Sequence, residues 1–499
     1  MANGGIIGTV NNPTSTTATG VWQQEEQYEA KVTDTWPQRA LFTTKSLRFN
    51  DGSSDYLTES VSSTSNRRTF TYSAWIKRSS LSGSGYPRLF NPFVNSANFF
   101  DIFFRNTDAL NVYSQNADSN DMNLVTNRLF RDFSAWYHIV VAVDTTQGTA
   151  ANRVKLYVNG TQETSFSAAT YPSQNTDFQI NLDTVTNVIG RNQAGSDNYF
   201  DGYMSEVIFI DGQQLAPTSF GVANSDGVWT PIIYSGTYGT NGFNLQFENA
   251  AALGTDSSPN GNTFTVNNLT SIDQSTDYPV VNYATFNSLD NTLSQYAFSN
   301  GNLTGTYSGS NGSGVGTTAT FGVSNGKWYW ELKYDSANDT PLRLGITDRV
   351  AVATATTNRV GYGGNDRCYD QGDGKIYTND TGTSYGNTFA VGDIIGVALD
   401  LENNKIYFSK NGTFQNSGNP GGNSNGFSIT PISSTAHGFY FAVVGLVSGS
   451  GVAQVSYNFG SPPFAISSGN ADGNGYGNFE YAVPSGYYAL NTANLAEFG

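Results

Sequence analysis

Residues 393–415, DIIGVALDLENNKIYFSKNGTFQ, admit few folds other than a pair of strands turned back on each other. Ile394, Ile395, Val397 and Leu399 form an almost continuous apolar run, the pattern of a strand buried inside a sandwich. Asp400 stops it, and Glu402-Asn403-Asn404 is a polar turn in which Asn tolerates positive φ. Lys405-Ile406-Tyr407-Phe408-Ser409 is a second strand. Asn411-Gly412 then marks a type I′ hairpin turn, which needs φ > 0 at both central residues. The same plan occurs earlier. Trp136 to Asp144 is a buried strand ending in an acid, Arg153 to Val158 a second strand, and Asn159-Gly160 the turn. The chain therefore contains two units built alike.

The remainder of the sequence agrees with a turn-rich, all-β protein. Charged residues make up only 13%, against about 25% in an average globular chain. Aromatic residues reach 14%, and 54 glycines punctuate the chain. A length of 499 residues exceeds one core and implies two or three domains. The net charge of −16, with no basic stripe to offset it, opposes binding to a nucleic acid backbone. No apolar run approaches the roughly 20 residues that span a bilayer, so no membrane insertion is expected. One cysteine, Cys368, excludes an intramolecular disulfide and a cysteine-based zinc site. The opening MANGGIIGTV lacks a basic region followed by an apolar core, so no secretory signal is expected.

Four segments follow. Residues 1–40 read as an attachment arm, with one helical stretch at 21–32 that needs a docking surface, since an isolated helix so short is marginal. The residues expected to carry assembly through the arm are Trp22, Tyr28 and Trp36. Residues 41–222 read as one sandwich, 223–282 as a connecting segment with some strands, and 283–499 as a second sandwich. The motifs SLRFNDGSSDYLT, FTYSAWIK, WYHIVVAVD, VKLYVNG, NVIG and FDGYMSEVIFIDGQQL, in that order, resemble the laminin-G/concanavalin A-like jelly roll. GKWYWEL, LGI, DIIGVALDLENNKIYFSKNG and a closing VSYNFG resemble the SPRY domain. The arm GVWQQEEQYEAKVTDTWP, the linker at 254–287 with its run SPNGNTFTVNNLTSIDQSTDYPVVNYATFN, and the tail PSGYYALNTANLAE are similar to segments of tailed-phage structural proteins. The expected fold is thus all-β, two jelly-roll-like antiparallel sandwiches in tandem behind a short N-terminal arm and helix.

Candidate chemistry is sparse. Glu331 and Asp335 share a strand face, the one arrangement that suggests the paired carboxylates of a glycosidase. Glu331, however, lies in a strand motif that the SPRY family carries without catalysis. His138 falls inside a core strand, and His437 and Cys368 have no partner motif. Laminin-G-like domains often bind calcium, which implies loop acids such as Asp197 and Asp201, with Asp211, Asp370 and Asp373 as further turn acids. Recognition is better supported. Residues 361–371 form a loop offering Tyr362, Asn365, Asp366, Arg367 and Tyr369, flat aromatics beside adaptable hydrogen-bonding groups.

The resemblances imply a non-enzymatic virion structural protein, on tail fibre or capsid surface, made in the host cytoplasm and released with the particle. It would be attached through its arm to other virion proteins, assembled as a symmetric oligomer such as a trimer, and would display two modules that bind a host-surface glycan or protein. It would need no cofactor except, on the laminin-G resemblance, Ca²⁺. A capsid decoration protein without a receptor role and a concanavalin-like polysaccharide-degrading enzyme are the alternatives.

Overall fold

The computed structural model describes residues 43–290, 296–309, 315–336, 341–349, 359–447 and 451–499. The expected arm, with its helix and with Trp22, Tyr28 and Trp36, lies outside the described residues. The two Asn-Gly turns adopt the same conformation. Asn159 and Gly160 have φ of 48° and 78°, and Asn411 and Gly412 have φ of 49° and 79°. In each, the Asn side chain folds back on the partner strand. Asn159 Oδ1 accepts from His138 N at 2.7 Å, and Asn411 Oδ1 from Ile394 N at 2.9 Å. Each glycine also seats an aromatic ring from a distant segment. A Cβ on Gly160 would lie 2.6 Å from the Trp229 ring, and one on Gly412 would lie 2.5 Å from Tyr481.

The fold is all-β, two antiparallel sandwiches in tandem. In the first, one sheet runs in the order Thr161–Glu163, Val154–Val158, Tyr137–Asp144, Thr69–Arg78, Gly202–Asp211, Ser46–Phe49, Gln274–Ser275. The facing sheet runs Phe166–Thr170, Ser119–Leu129, Ala109–Asn116, Asn98–Phe104, Arg88–Phe90, Thr186–Ile189, Tyr56–Ser60, Thr265–Asn267. Alternation along Thr69–Arg78 sends Phe70, Tyr72, Ala74 and Ile76 into the core between the sheets. Tyr72 stacks on Phe90 at 5.0 Å, and Phe70 meets Phe100 edge-on at 5.4 Å. Each such buried side chain contributes about 1.5–3 kcal/mol.

The other face of that sheet is covered as well. Phe220, Tyr234 and Tyr238, from the chain just after the sheet, pack on Val140, Ile208 and Ile210. Trp229 closes over His138, whose ring also stacks on Trp75 at 4.7 Å. Trp229 Nε1–H donates to His138 Nδ1 at 3.0 Å, which leaves Nε2–H to donate to Ser73 Oγ at 2.8 Å. Burial pushes this imidazole down to about 3, so His138 is a neutral, fully bonded packing residue. Within the connecting segment, Phe243–Leu245, Thr265–Asn267 and Gln274–Ser275 hydrogen-bond into the first sandwich. Asp256 organises the turn-dense stretch 256–262 by accepting from the backbone N–H of Asn244, Ser258 and Asn262.

The second sandwich has one sheet ordered Tyr296–Ser299, Thr304–Gly309, Gly451–Asn458, Lys327–Ser336, Ile394–Asp400, Lys405–Lys410, Thr413–Phe414. The facing sheet is Val315–Val323, Tyr440–Leu446, Leu342–Thr347, Arg367–Asp370, Lys375–Thr378, Thr381–Ser384. Trp328, Trp330 and Leu332 are fully buried in its core with Val397, Leu399 and Phe408. A helix at Thr492–Phe498 was not expected, because the only helical signal read from the sequence was at 21–32. It forms because Asn491 caps it, its side chain accepting from Asn494 N, and because Phe498 stacks on Tyr488 at 3.8 Å.

The sandwiches share a bonded seam. Tyr203 Oη donates to Gly301 O at 2.9 Å, Asn302 Nδ2 to Ser79 O at 2.7 Å, and the Ser275 and Ser461 hydroxyls lie 2.6 Å apart.

Candidate functional site

The loop singled out in the second sandwich proves largely internal. Tyr369 is a core residue packed against Tyr385, Phe389 and Phe408, its hydroxyl donating to Asn387 O. Asp366 is fully buried and accepts from Thr347 Oγ1, from Arg349 and from the backbone N–H of Gly361 and Gly363. It holds the loop's shape and has no oxygen left for a ligand. Both expectations are corrected. The strand Arg367–Asp370 points Tyr369 inward, and a short Asp beside two glycines is the ordinary organiser of a tight loop. Tyr362, Asn365 and Arg367 keep partial exposure, with Asn365 Nδ2 held by Asp348 at 2.8 Å and Arg367 Nε by Ser428 O at 2.8 Å.

The acids expected to hold calcium do not fit it. Asp197 is exposed and bonded to Asn192 Nδ2 at 2.8 Å. Asp201 is buried, and burial, with repulsion from Asp51, pushes it up to about 8, so it is protonated at neutral pH. Asp211 is filled by the N–H groups of Asn66, Thr240 and Asn241, Asp370 by Arg343, and Asp373 by Lys375 and Tyr377. Among the described residues no group of three or more His, Cys, Asp or Glu converges on a metal position. Glu331 and Asp335 form no catalytic pair either. Glu331 is fully buried and accepts four hydrogen bonds, while Asp335 is tied to Ser456 and Lys333. Cys368 is buried, and burial raises its thiol well above the usual range.

A candidate site lies on the outer face of the first sandwich. Along Asn98–Phe104, Phe100, Ile102 and Phe104 enter the core, so Phe99, Asp101 and Phe103 face outward. Register sets Asp101 opposite Tyr113, Phe103 opposite Asn111 and Arg88, and Tyr113 opposite Asn123. With Arg105 just beyond the strand, these side chains line a groove of about 140 Å³. Asp101 faces away from the core yet is only 1% exposed, which shows how deeply this face is recessed.

The groove has an aromatic wall and a polar wall. Phe99 and Tyr113 lie 5.8 Å apart at 36°, and the Arg88 guanidinium covers the Phe103 ring at 4.5 Å. Arg88 Nε donates to Asp101 Oδ2 at 3.0 Å. Burial pushes Asp101 up to about 6, against the pull of Arg88. Arg105 donates to Asn111 Oδ1 at 3.2 Å, and Asn111 Nδ2 donates to Asn123 Oδ1 at 2.9 Å. Tyr113 Oη reaches Asn120 and Gln115. Flat rings beside oriented amides and guanidiniums suit a small polyhydroxylated ligand, with ring faces for C–H groups and fixed donors for hydroxyls. Nothing in the sequence unites Arg88, Asp101, Tyr113 and Asn123, which are far apart along the chain. Four strands in register bring them together.

Residues 51–215 match the family model described as the concanavalin A-like lectin/glucanases superfamily, and residues 327–452 match the SPRY domain model. A laminin-G/concanavalin-like domain is therefore followed by a SPRY domain. The chain is 36% identical to the ATP-dependent RNA helicase DDX1 of Xenopus laevis over 98 residues, 19% of this chain and 12% of the helicase. The chain thus spans a small part of the curated relative's length. Among solved structures, the human HERC1 SPRY domain is 20% identical with a TM-score of 0.24, covering 31% of this chain and 87% of that one. A candidate carbohydrate-binding protein of Bacteroides ovatus is 16% identical with a TM-score of 0.32, covering 47% and 60%.

Proposed function

We propose that this chain is a non-enzymatic binding protein whose first sandwich takes a saccharide in the groove of Phe99, Phe103, Tyr113, Arg88, Arg105, Asn111 and Asn123, and that it serves a tailed-phage particle as a surface adhesin. The groove carries the reading. It sets recessed aromatic faces beside fixed hydrogen-bond donors on one face of a sheet. The lectin part of the matched concanavalin A-like description supports a binding module, and the phage setting rests on the similarity of the arm, linker and tail to phage structural segments. The absence of catalysis is supported by the carboxylates. Asp101 is the groove's one raised acid, but Arg88 clamps it and the surrounding side chains cover it, out of reach of a glycosidic oxygen. Symmetric assembly, with the arm attached to other virion proteins, completes the reading.

Glycan-array binding of the full chain, followed by calorimetry on the best hit, tests it. Phe99→Ala and Tyr113→Ala should each abolish binding without lowering the melting temperature, whereas Tyr362→Ala should leave it intact. Loss on Tyr362→Ala with retention in the groove variants would move the site to the second sandwich. Deleting residues 1–40 should give soluble protein that no longer joins particles.

A further inference from the structure

Arg88 and Arg105 stand in unlike situations, and the difference bears on what the groove selects. Arg88 is satisfied. It bonds Asp101 and the Tyr86 carbonyl and stacks on Phe103. Arg105 makes one side-chain bond, to the neutral Asn111 amide, and among the described residues it has no carboxylate partner. The lining thus holds two guanidiniums against a single carboxylate, within a chain of net charge −16. Asp121, the next acid on this face, does not line the groove.

Arg105 is half-buried at the edge of an aromatic wall, where a charge is screened less than on open surface. A guanidinium held on one edge by Asn111 leaves its remaining N–H groups free to grip a planar anion in two parallel bonds. Asn111 is itself fixed, donating to the Val112 and Leu124 carbonyls as well as to Asn123. That network sets the direction of the Arg105 fork. Asn123 accepts from Asn111 and, among the described residues, donates its own Nδ2–H groups to nothing, so a donor for a sugar hydroxyl lies beside the fork.

We infer that the groove selects an acidic saccharide, with Arg105 holding the anionic substituent, Phe99 and Tyr113 stacking on the sugar ring and Asn123 donating to a neighbouring hydroxyl. The inference rests on the saccharide reading of the groove. Charge on the ligand decides it, because a neutral sugar of the same shape would leave Arg105 with its neutral Asn111 bond and no counter-charge on binding.

Calorimetry of the full chain with tetragalacturonate, its methyl ester and a sulfated heparin tetrasaccharide tests the inference. The uronate should bind at least tenfold more tightly than its ester. Arg105→Ala should erase that preference while keeping weak binding of the ester, and Arg105→Lys should retain part of it. Tighter binding of the sulfated sugar, lost in the same variant, supports the shared anionic chemistry with sulfate as its source. Equal affinity for acid and ester, or a preference that survives Arg105→Ala, overturns the inference and leaves the saccharide reading standing. Binding of all three sugars unaffected by Phe99→Ala, or no binding of any saccharide, overturns both.

Discussion

Lys77 and Asp277, 200 residues apart in the chain, meet at the seam of the two sandwiches with Nζ 2.8 Å from Oδ2 and each side chain 1% exposed. Neither charge is left short of bonds. Lys77 also donates to Asn282 Oδ1 at 2.6 Å, and Asp277 accepts from Trp136 Nε1 at 2.8 Å. Lys77 and Trp136 belong to the first sandwich, while Asp277 and Asn282 lie on the crossing to the second. The pair therefore couples the two cores through one buried polar knot.

Removing one partner strands the other. Asp277→Ala should cost about 3–5 kcal/mol, because an ammonium would remain buried without a counter-charge. Denaturant unfolding measures the loss, and calorimetry should show the single transition dividing into two as the sandwiches uncouple. The double replacement Lys77→Met/Asp277→Leu should recover most of the stability. A loss as large as in the single variant would argue against the ion pair as the origin.

Five buried carboxylates make the fold most stable on the acid side of neutrality. Burial raises Asp201 to about 8, Glu206 and Glu331 to about 7, and Asp55 and Asp101 to about 6. A raised acid stabilises fully below its unfolded value of about 4, and that contribution is lost as pH climbs through 6 to 8. Carboxylates held low, such as Asp177 by Arg68 and Glu480 by Ser467, act oppositely and lose their contribution below about pH 4. The melting temperature should peak between these limits and fall by several degrees from pH 5 to pH 8.5. Asp201→Asn should flatten the alkaline limb, while the exposed Asp197→Asn should not.

Gly160 and Gly412 should both resist substitution. Each combines a positive φ with an aromatic ring where a Cβ would stand. Gly160→Ala and Gly412→Ala should each cost about 1–3 kcal/mol, read by denaturant unfolding. Trp229 and Tyr481 fluorescence should report the displaced rings. Gly148→Ala, where nothing lies within 4 Å, should be close to neutral.

Glu331 stitches the C-terminal chain to the sheet. Its carboxylate accepts from Glu480 N at 3.0 Å and Tyr481 N at 2.8 Å, besides Tyr329 Oη and Asn458 Nδ2. Glu331→Gln must set an amide NH₂ against a backbone N–H and should cost about 1–3 kcal/mol. Hydrogen exchange at Glu480 and Tyr481 should rise selectively. Reducing-end release from a host polysaccharide by the native chain, abolished in this variant, would instead restore the enzymatic alternative.

Local chemistry was enough to determine the all-β class and the two hairpin units. Apolar runs, Asn-Gly turns and terminal acids act over a few residues, and their backbone demands are visible in the letters themselves. Asn159-Gly160 and Asn411-Gly412 took the predicted turn because no tertiary contact competes with φ > 0 at those residues. Tertiary structure decided the rest. FTYSAWIK alternates in the letters, yet which residues cover its second face, Trp229 and Phe220 among them, came from the tertiary fold. Tyr369 and Asp366 read as recognition residues because composition cannot tell a loop's surface from its scaffold. Burial made one a core ring and the other a loop organiser. The groove of Arg88, Asp101, Arg105, Tyr113 and Asn123 has no sequence signature, since its members share a face only through the register of four strands. A hairpin is a local bargain between neighbours, whereas a binding face is set by which strands the core has forced together.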